Sequence, residues 1–176
     1  GNYGINREDF ESRRIQVSGL IVREHCDEPS HSQADETLHE FLKSQDIPGI
    51  SGVDTRAITR RLRDRGVMSG IITMESPELA LESLAGSTRY DDVDFVRTVT
   101  TEHDYTWDEP PLEPGAPEYR ILVADCGLKY NILRLLRQRG CQVIAVPATM
   151  AAEEMLAMEP SGILLSPGPG DPQLLD

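Results

Sequence analysis

Between residues 119 and 165, three short apolar runs alternate with two helical patterns, and that alternation limits the possible folds more than any other feature. Tyr119–Asp125 reads as a first strand. Asn131–Arg139 reads as a helix with Ile132, Leu135 and Leu136 on one face and Gly140 at its end. Gln142–Val146 and Gly162–Leu165 read as further strands, with a second helix over Ala151–Met158. Continuous apolar strands in a β-α-β-α-β order predict an α/β fold, a parallel sheet covered on both faces with right-handed crossovers. Ligands of such sheets bind at the carboxyl ends of the strands. There the third strand runs into Ser166-Pro-Gly-Pro-Gly-Asp-Pro172.

That loop is not a Walker loop, because no Gly-Lys-Ser/Thr follows, and Gln173 stands where a dinucleotide fingerprint needs its third glycine. Pro167, Pro169 and Pro172 also remove three N–H donors. The few donors left are rigidly held, which suits a single oxyanion or a carboxamide better than a polyphosphate. A stiff strand-to-helix turn with no ligand is the competing reading. Cys126 ends the first strand at a ligand-facing position, but all four histidines (His25, His31, His39 and His103) lie upstream, so a small residue filling a tight corner is the better reading than a nucleophile. His25, Cys26 and His31 have irregular spacing with Pro29 between them, and no metal site is expected.

Residues 1–99 predict a small α+β module. Its expected elements are a β-like run over Ile15–Arg23, a helix over Gln33–Ser44 capped by Ser32, and a short apolar stretch over Ile47–Val53. A helix over Thr55–Arg65 follows, with Asp54 as N-cap and Gly66 as its stop, then a strand over Val67–Thr73 and a helix over Pro77–Ala85. Arg56, Arg60 and Arg63 form a basic stripe opposite Ile58 and Leu62, either a solvated face or a contact with an acidic partner. Residues 100–118, rich in proline towards their end, read as a linker between this module and a domain over 119–176.

The net charge of −13 argues against nucleic acid and anionic membranes as partners. Most of it belongs to residues 1–118, and it fits either a solvated acidic surface or adaptation to high salt. No run is long and apolar enough to span a bilayer. Three cysteines without CxxC spacing point to a reducing, cytoplasmic setting. A chain opening on Gly1 reads as a piece of a longer one.

Taken together, several segments resemble the small, glutamine-hydrolysing subunit of carbamoyl phosphate synthetase. Gly1-Asn-Tyr-Gly-Ile-Asn6, Gly49–Arg56 with Thr59–Leu62, and Gly66–Gly70 are similar to its N-terminal domain. Val99-Thr-Thr101 through Tyr105–Trp107 resembles the approach to its interdomain linker. Asp125–Lys129 with Asn131–Arg134 resembles the start of its amidotransferase domain, and Ser166–Pro172 the loop of triad-type (class I) glutamine amidotransferases.

The resemblance implies that residues 119–176 are the first half of a class I amidotransferase sheet. A cysteine thiolate would attack L-glutamine, a His–Glu pair would move protons, and ammonia would pass to a large subunit. That subunit would use ATP and Mg²⁺ to make carbamoyl phosphate for pyrimidines and arginine, so no cofactor is expected on this chain. Gly168 would offer its N–H to the oxyanion, Gly170 would bind the glutamine backbone, and the stripe of Arg56, Arg60 and Arg63 is the candidate subunit contact. The family's nucleophile, histidine and glutamate would all lie beyond Asp176, leaving no catalytic residue within the chain and the recorded piece inactive alone. A non-catalytic module docking on a large synthetase subunit is the alternative; another triad amidotransferase would leave the N-terminal module without a place.

Overall fold

A computed structural model describes residues 4–115 and 119–174. The first three residues of the Gly1–Asn6 motif, Pro117 in the expected linker, and Leu175-Asp176 lie outside the described residues. The chain forms two compact units, Gly1–Asp92 and Val93–Asp176. Among the described residues, no helix is long and apolar enough to cross a membrane.

In the first unit, strands β1 (Leu20–Ile21) and β2 (Gly49–Ile50) form a short parallel pair. Helix α1 covers Leu38–Ser44 and starts later than Gln33, because Thr37 and Glu40 close a reciprocal capping box. The Glu40 N–H donates to Thr37 Oγ1 at 3.1 Å and the Thr37 N–H to Glu40 Oε2 at 2.9 Å. The Thr37 backbone N–H, more than its hydroxyl, holds the Glu40 carboxyl below its ordinary pKa. The residues ahead of the box are not helical; Glu36 instead bridges to Ile5.

Helix α2 (Thr55–Arg65) has the expected ends: Asp54 Oδ1 accepts from the Ala57 N–H at 3.0 Å, and Gly66 takes φ +81°. Helix α3 (Pro77–Ala85) starts on Ser76 and stops at Gly86. Val67–Thr73 is not a strand. No neighbouring strand pairs with it among the described residues, so its β-branched and apolar residues gain no ladder, and Val67, Met68 and Ile71 stay exposed.

The second unit holds the predicted sheet. Helix α4 (Phe95–Val99) leads to β3 (Tyr105–Trp107), then β4 (Tyr119–Asp125), α5 (Tyr130–Gln138), β5 (Cys141–Pro147), α6 (Ala152–Ala157) and β6 (Gly162–Leu165). The strand order is β3-β5-β4-β6; β4 pairs in parallel with both β5 and β6, while β3 is antiparallel to β5. Because side chains alternate across a strand, β4 serves two cores. Val123 packs with Val143, Ala145, Leu128 and the α5 residue Leu133, whereas Leu122 and Ala124 pack with Val146 and the α6 residue Met155. The chain therefore leaves β4 to one side and returns to the other, placing the topological switch point of the sheet at its carboxyl end.

Residues 100–118 differ from the expected linker. β3 lies within them, and the unit boundary falls earlier, at Asp92 and Val93. Two side-chain contacts with α5 and one strand pairing explain the attachment. Arg137, only 7% exposed, donates from Nε to the Pro110 carbonyl at 3.1 Å and from Nη2 to the Asp108 carbonyl at 3.1 Å. Trp107 packs on the Tyr130 ring at 4.8 Å between centroids, and Tyr105–Trp107 takes the open edge of β5. A proline-rich segment is thus tied down through its carbonyls, the one backbone group proline retains.

Candidate functional site

The parallel register sets the site. Ala124 lies opposite Leu165, so β4 and β6 end side by side and their following loops, Cys126-Gly127 and Ser166–Pro172, emerge together. The first loop is turned by Asp125, whose buried Oδ1 accepts from the Gly127 N–H at 3.0 Å and from the Leu128 N–H at 2.8 Å. Gly127, at φ +133°, meets this turn without strain, and a Cβ there would stand 2.9 Å from Pro169 Cδ. The second loop is anchored by Ser166, 7% exposed. Its hydroxyl accepts from the Cys126 N–H at 3.0 Å and donates to the Pro167 carbonyl at 3.1 Å.

Gly168 sits where the two loops touch. A Cβ on it would lie 2.0 Å from the Cys126 carbonyl oxygen and 2.8 Å from its carbon, so glycine is required here by close approach of two backbones. Its own N–H has no acceptor among the described residues, and the residue is exposed. Gly170 needs glycine for another reason: φ is +87°, and a Cβ would stand 3.4 Å from Phe95 Cδ2. Both residues predicted as the binding loop lie on the loop that follows β6, next to the carboxyl end of β4.

Cys126 contributes its backbone. Burial first, and the Asp125 carboxylate second, push its thiol pKa up, away from the thiolate form that a nucleophile needs. Arg56, Arg60 and Arg63 lie on exposed α2 in the other unit, and none has an ion-pair partner among the described residues. His25 lies 3.4 Å from Asp27 Oδ1 and edge-on to His39, while Cys26 donates to the Glu28 carbonyl. Among the described residues no three His, Cys, Asp or Glu converge on a metal position. Sequence reasoning missed Asp125 and Ser166 as builders of the site. Their signals were an aspartate two residues before a glycine at a strand end, and a serine immediately before the first loop proline.

Comparison with known proteins agrees with this organisation. Residues 1–72 match the pattern of the carbamoyl-phosphate synthase small chain CPSase domain, and residues 122–176 match that of class-I glutamine amidotransferases. The chain is 43% identical to the carbamoyl phosphate synthase small chain of Syntrophotalea carbinolica, across 98% of this chain and 49% of that protein. It is 42% identical to the small chain of Bacillus anthracis, across 98% of this chain and 45% of that protein. The pyrimidine-specific small chain of Halalkalibacterium halodurans is also 42% identical, across 98% and 46%. The chain spans about half the length of the curated relatives it matches. With one pattern at each end and these relatives aligned along nearly all of it, the chain is similar over 98% of its length to half of a carbamoyl phosphate synthase small chain.

Proposed function

We propose that this chain supplies the oxyanion-binding wall of a glutaminase, within the small subunit of a glutamine-dependent carbamoyl phosphate synthase. The observation that carries the reading is the Gly168 N–H, rigidly placed at the strand ends and without an acceptor among the described residues. When a cysteine thiolate adds to the carboxamide of L-glutamine, the carbonyl oxygen becomes an oxyanion, and this donor faces charge that develops only then. Gly170 holds the backbone portion of glutamine. The nucleophile, its histidine and its glutamate come from residues outside positions 1–176. Ammonia passes to a large subunit that uses ATP and Mg²⁺, in a cytoplasmic route to pyrimidines and arginine. The decisive experiment assays the full encoded protein for glutamate and ammonia released from glutamine; no hydrolysis by the folded protein, with or without its large subunit, rejects the assignment.

A docking role for the first unit accompanies this reading, and a specific surface favours it. On the face of α2 opposite the exposed stripe of Arg56, Arg60 and Arg63, a groove of about 780 Å³ with Arg61 at its wall runs between Ile21, Leu62, Met68 and Ile71. Apolar residues rimmed by charge mark interaction surfaces. Changing the three arginines to glutamate is expected to weaken association with the large subunit at least tenfold in a titration. Affinity unchanged in that variant returns the stripe to the solvated face of a helix.

A further inference from the structure

The glutaminase reading leaves open what holds the Gly168 N–H in place, since the loop that bears it is exposed. We propose that Asp125 and Ser166 are positioning residues for that donor, acting together through the backbone of Cys126 and Gly127. The inference rests on the proposed glutaminase function for its kinetic consequence and on geometry alone for its structural one.

Both side chains belong to residues more than nine-tenths buried, and both spend their polar atoms on the two loops. Asp125 Oδ1 gathers the Gly127 and Leu128 N–H groups, which fixes the plane of the Cys126–Gly127 peptide. Ser166 Oγ joins that same segment, at the Cys126 N–H, to the other loop, at the Pro167 carbonyl. The Ser166 N–H donates to the Ala124 carbonyl at 3.1 Å, so the serine is itself indexed to the end of β4. Gly168 then rests on the Cys126 carbonyl, and Pro169 on Gly127. Neither side chain needs to touch glutamine. The two set the height of one surface, and Gly168 stands on it.

The sequence of contacts makes a specific kinetic demand. A donor used only in the transition state lowers kcat and kcat/KM together when it is displaced, with little change in KM. A displacement of about 1 Å costs roughly a hundredfold in rate. In the full encoded protein with its large subunit, Ser166→Ala and Asp125→Ala are each expected to lower the glutaminase kcat by roughly ten- to a hundredfold with KM within about threefold. Asp125→Asn, which keeps an oxygen acceptor at Oδ1, is expected to recover most of the loss. Crystal structures of the wild-type and Ser166→Ala full-length proteins give a readout independent of turnover: the Gly168 nitrogen should shift by more than about 0.5 Å relative to the end of β4.

A Gly168 nitrogen left in place in Ser166→Ala overturns the inference, whatever the activity. So does a loss expressed mainly in KM, or an Asp125→Asn variant as impaired as Asp125→Ala. A wild-type protein without glutaminase activity rejects the proposed function instead, and the crystallographic comparison still decides the positioning role.

Discussion

Replacing Gly168 by valine in the full-length protein is expected to lower the glutaminase kcat by roughly 10²–10³-fold, the loss typical of one missing oxyanion donor, or ~2.7–4 kcal/mol of barrier. The substitution leaves the N–H in the chain, so the effect comes wholly from displacement. A Cβ added at Gly168 falls 2.0 Å from the Cys126 carbonyl oxygen, far inside any tolerated contact, and the nearest atoms are backbone. The loop must therefore lift away from β4, and the donor lifts with it. Even alanine meets this clash, so Gly168→Ala should approach the valine variant instead of falling midway. The comparison separates this mechanism from a simple size effect, in which loss would grow steadily with side-chain volume. Full activity in Gly168→Val would falsify the placement of the oxyanion at this residue.

The second large effect is on stability. Leu133 is fully buried in α5, against Val123, Val143 and Ala145 of the sheet. Truncation to alanine removes buried methyl groups and leaves a cavity that rigid strands on one side cannot close, so a cost of about 2–5 kcal/mol is expected. Urea unfolding followed by far-UV circular dichroism measures it, as a fall in the midpoint at unchanged slope. Leu135, 40% exposed on the same helix, provides the control: its truncation should cost much less, at most about 1 kcal/mol. Equal losses at the two positions would show that α5 is not packed as described.

The parallel sheet could be read from the chain because its evidence is local and repeated. Three apolar strands and two one-faced helices have distinct periods, and glycine marks the end of the first helix. The N-cap of α2 was legible for the same reason, since Asp54 bonds to an N–H only three residues away. β3 was not legible: three residues carry no measurable alternation, and Tyr105–Trp107 is a strand because β5 offers an edge. Val67–Thr73 failed in the opposite sense. Its composition favours a strand, but pairing requires a neighbour, and composition does not provide one.

The site divided along similar lines. Gly168 and Gly170 stood out because alternating proline and glycine has a direct conformational meaning. The reasons for the two glycines were not visible, since one answers to a backbone about forty residues earlier and the other to its own positive φ. Ser166 illustrates the limit well. Nothing in its immediate neighbours says that its hydroxyl meets the Cys126 N–H, because that meeting depends on the pairing of β4 with β6.

The register of Ala124 against Leu165 has a practical consequence for anyone wishing to move this chemistry elsewhere. A graft of Ser166–Pro172 onto another parallel sheet would carry the donor without its seat. The portable unit is discontinuous: Ala124–Leu128 and Leu165–Gly170, at matched height on adjacent strands. A host whose two strands end one residue out of step would present the same letters facing the wrong way.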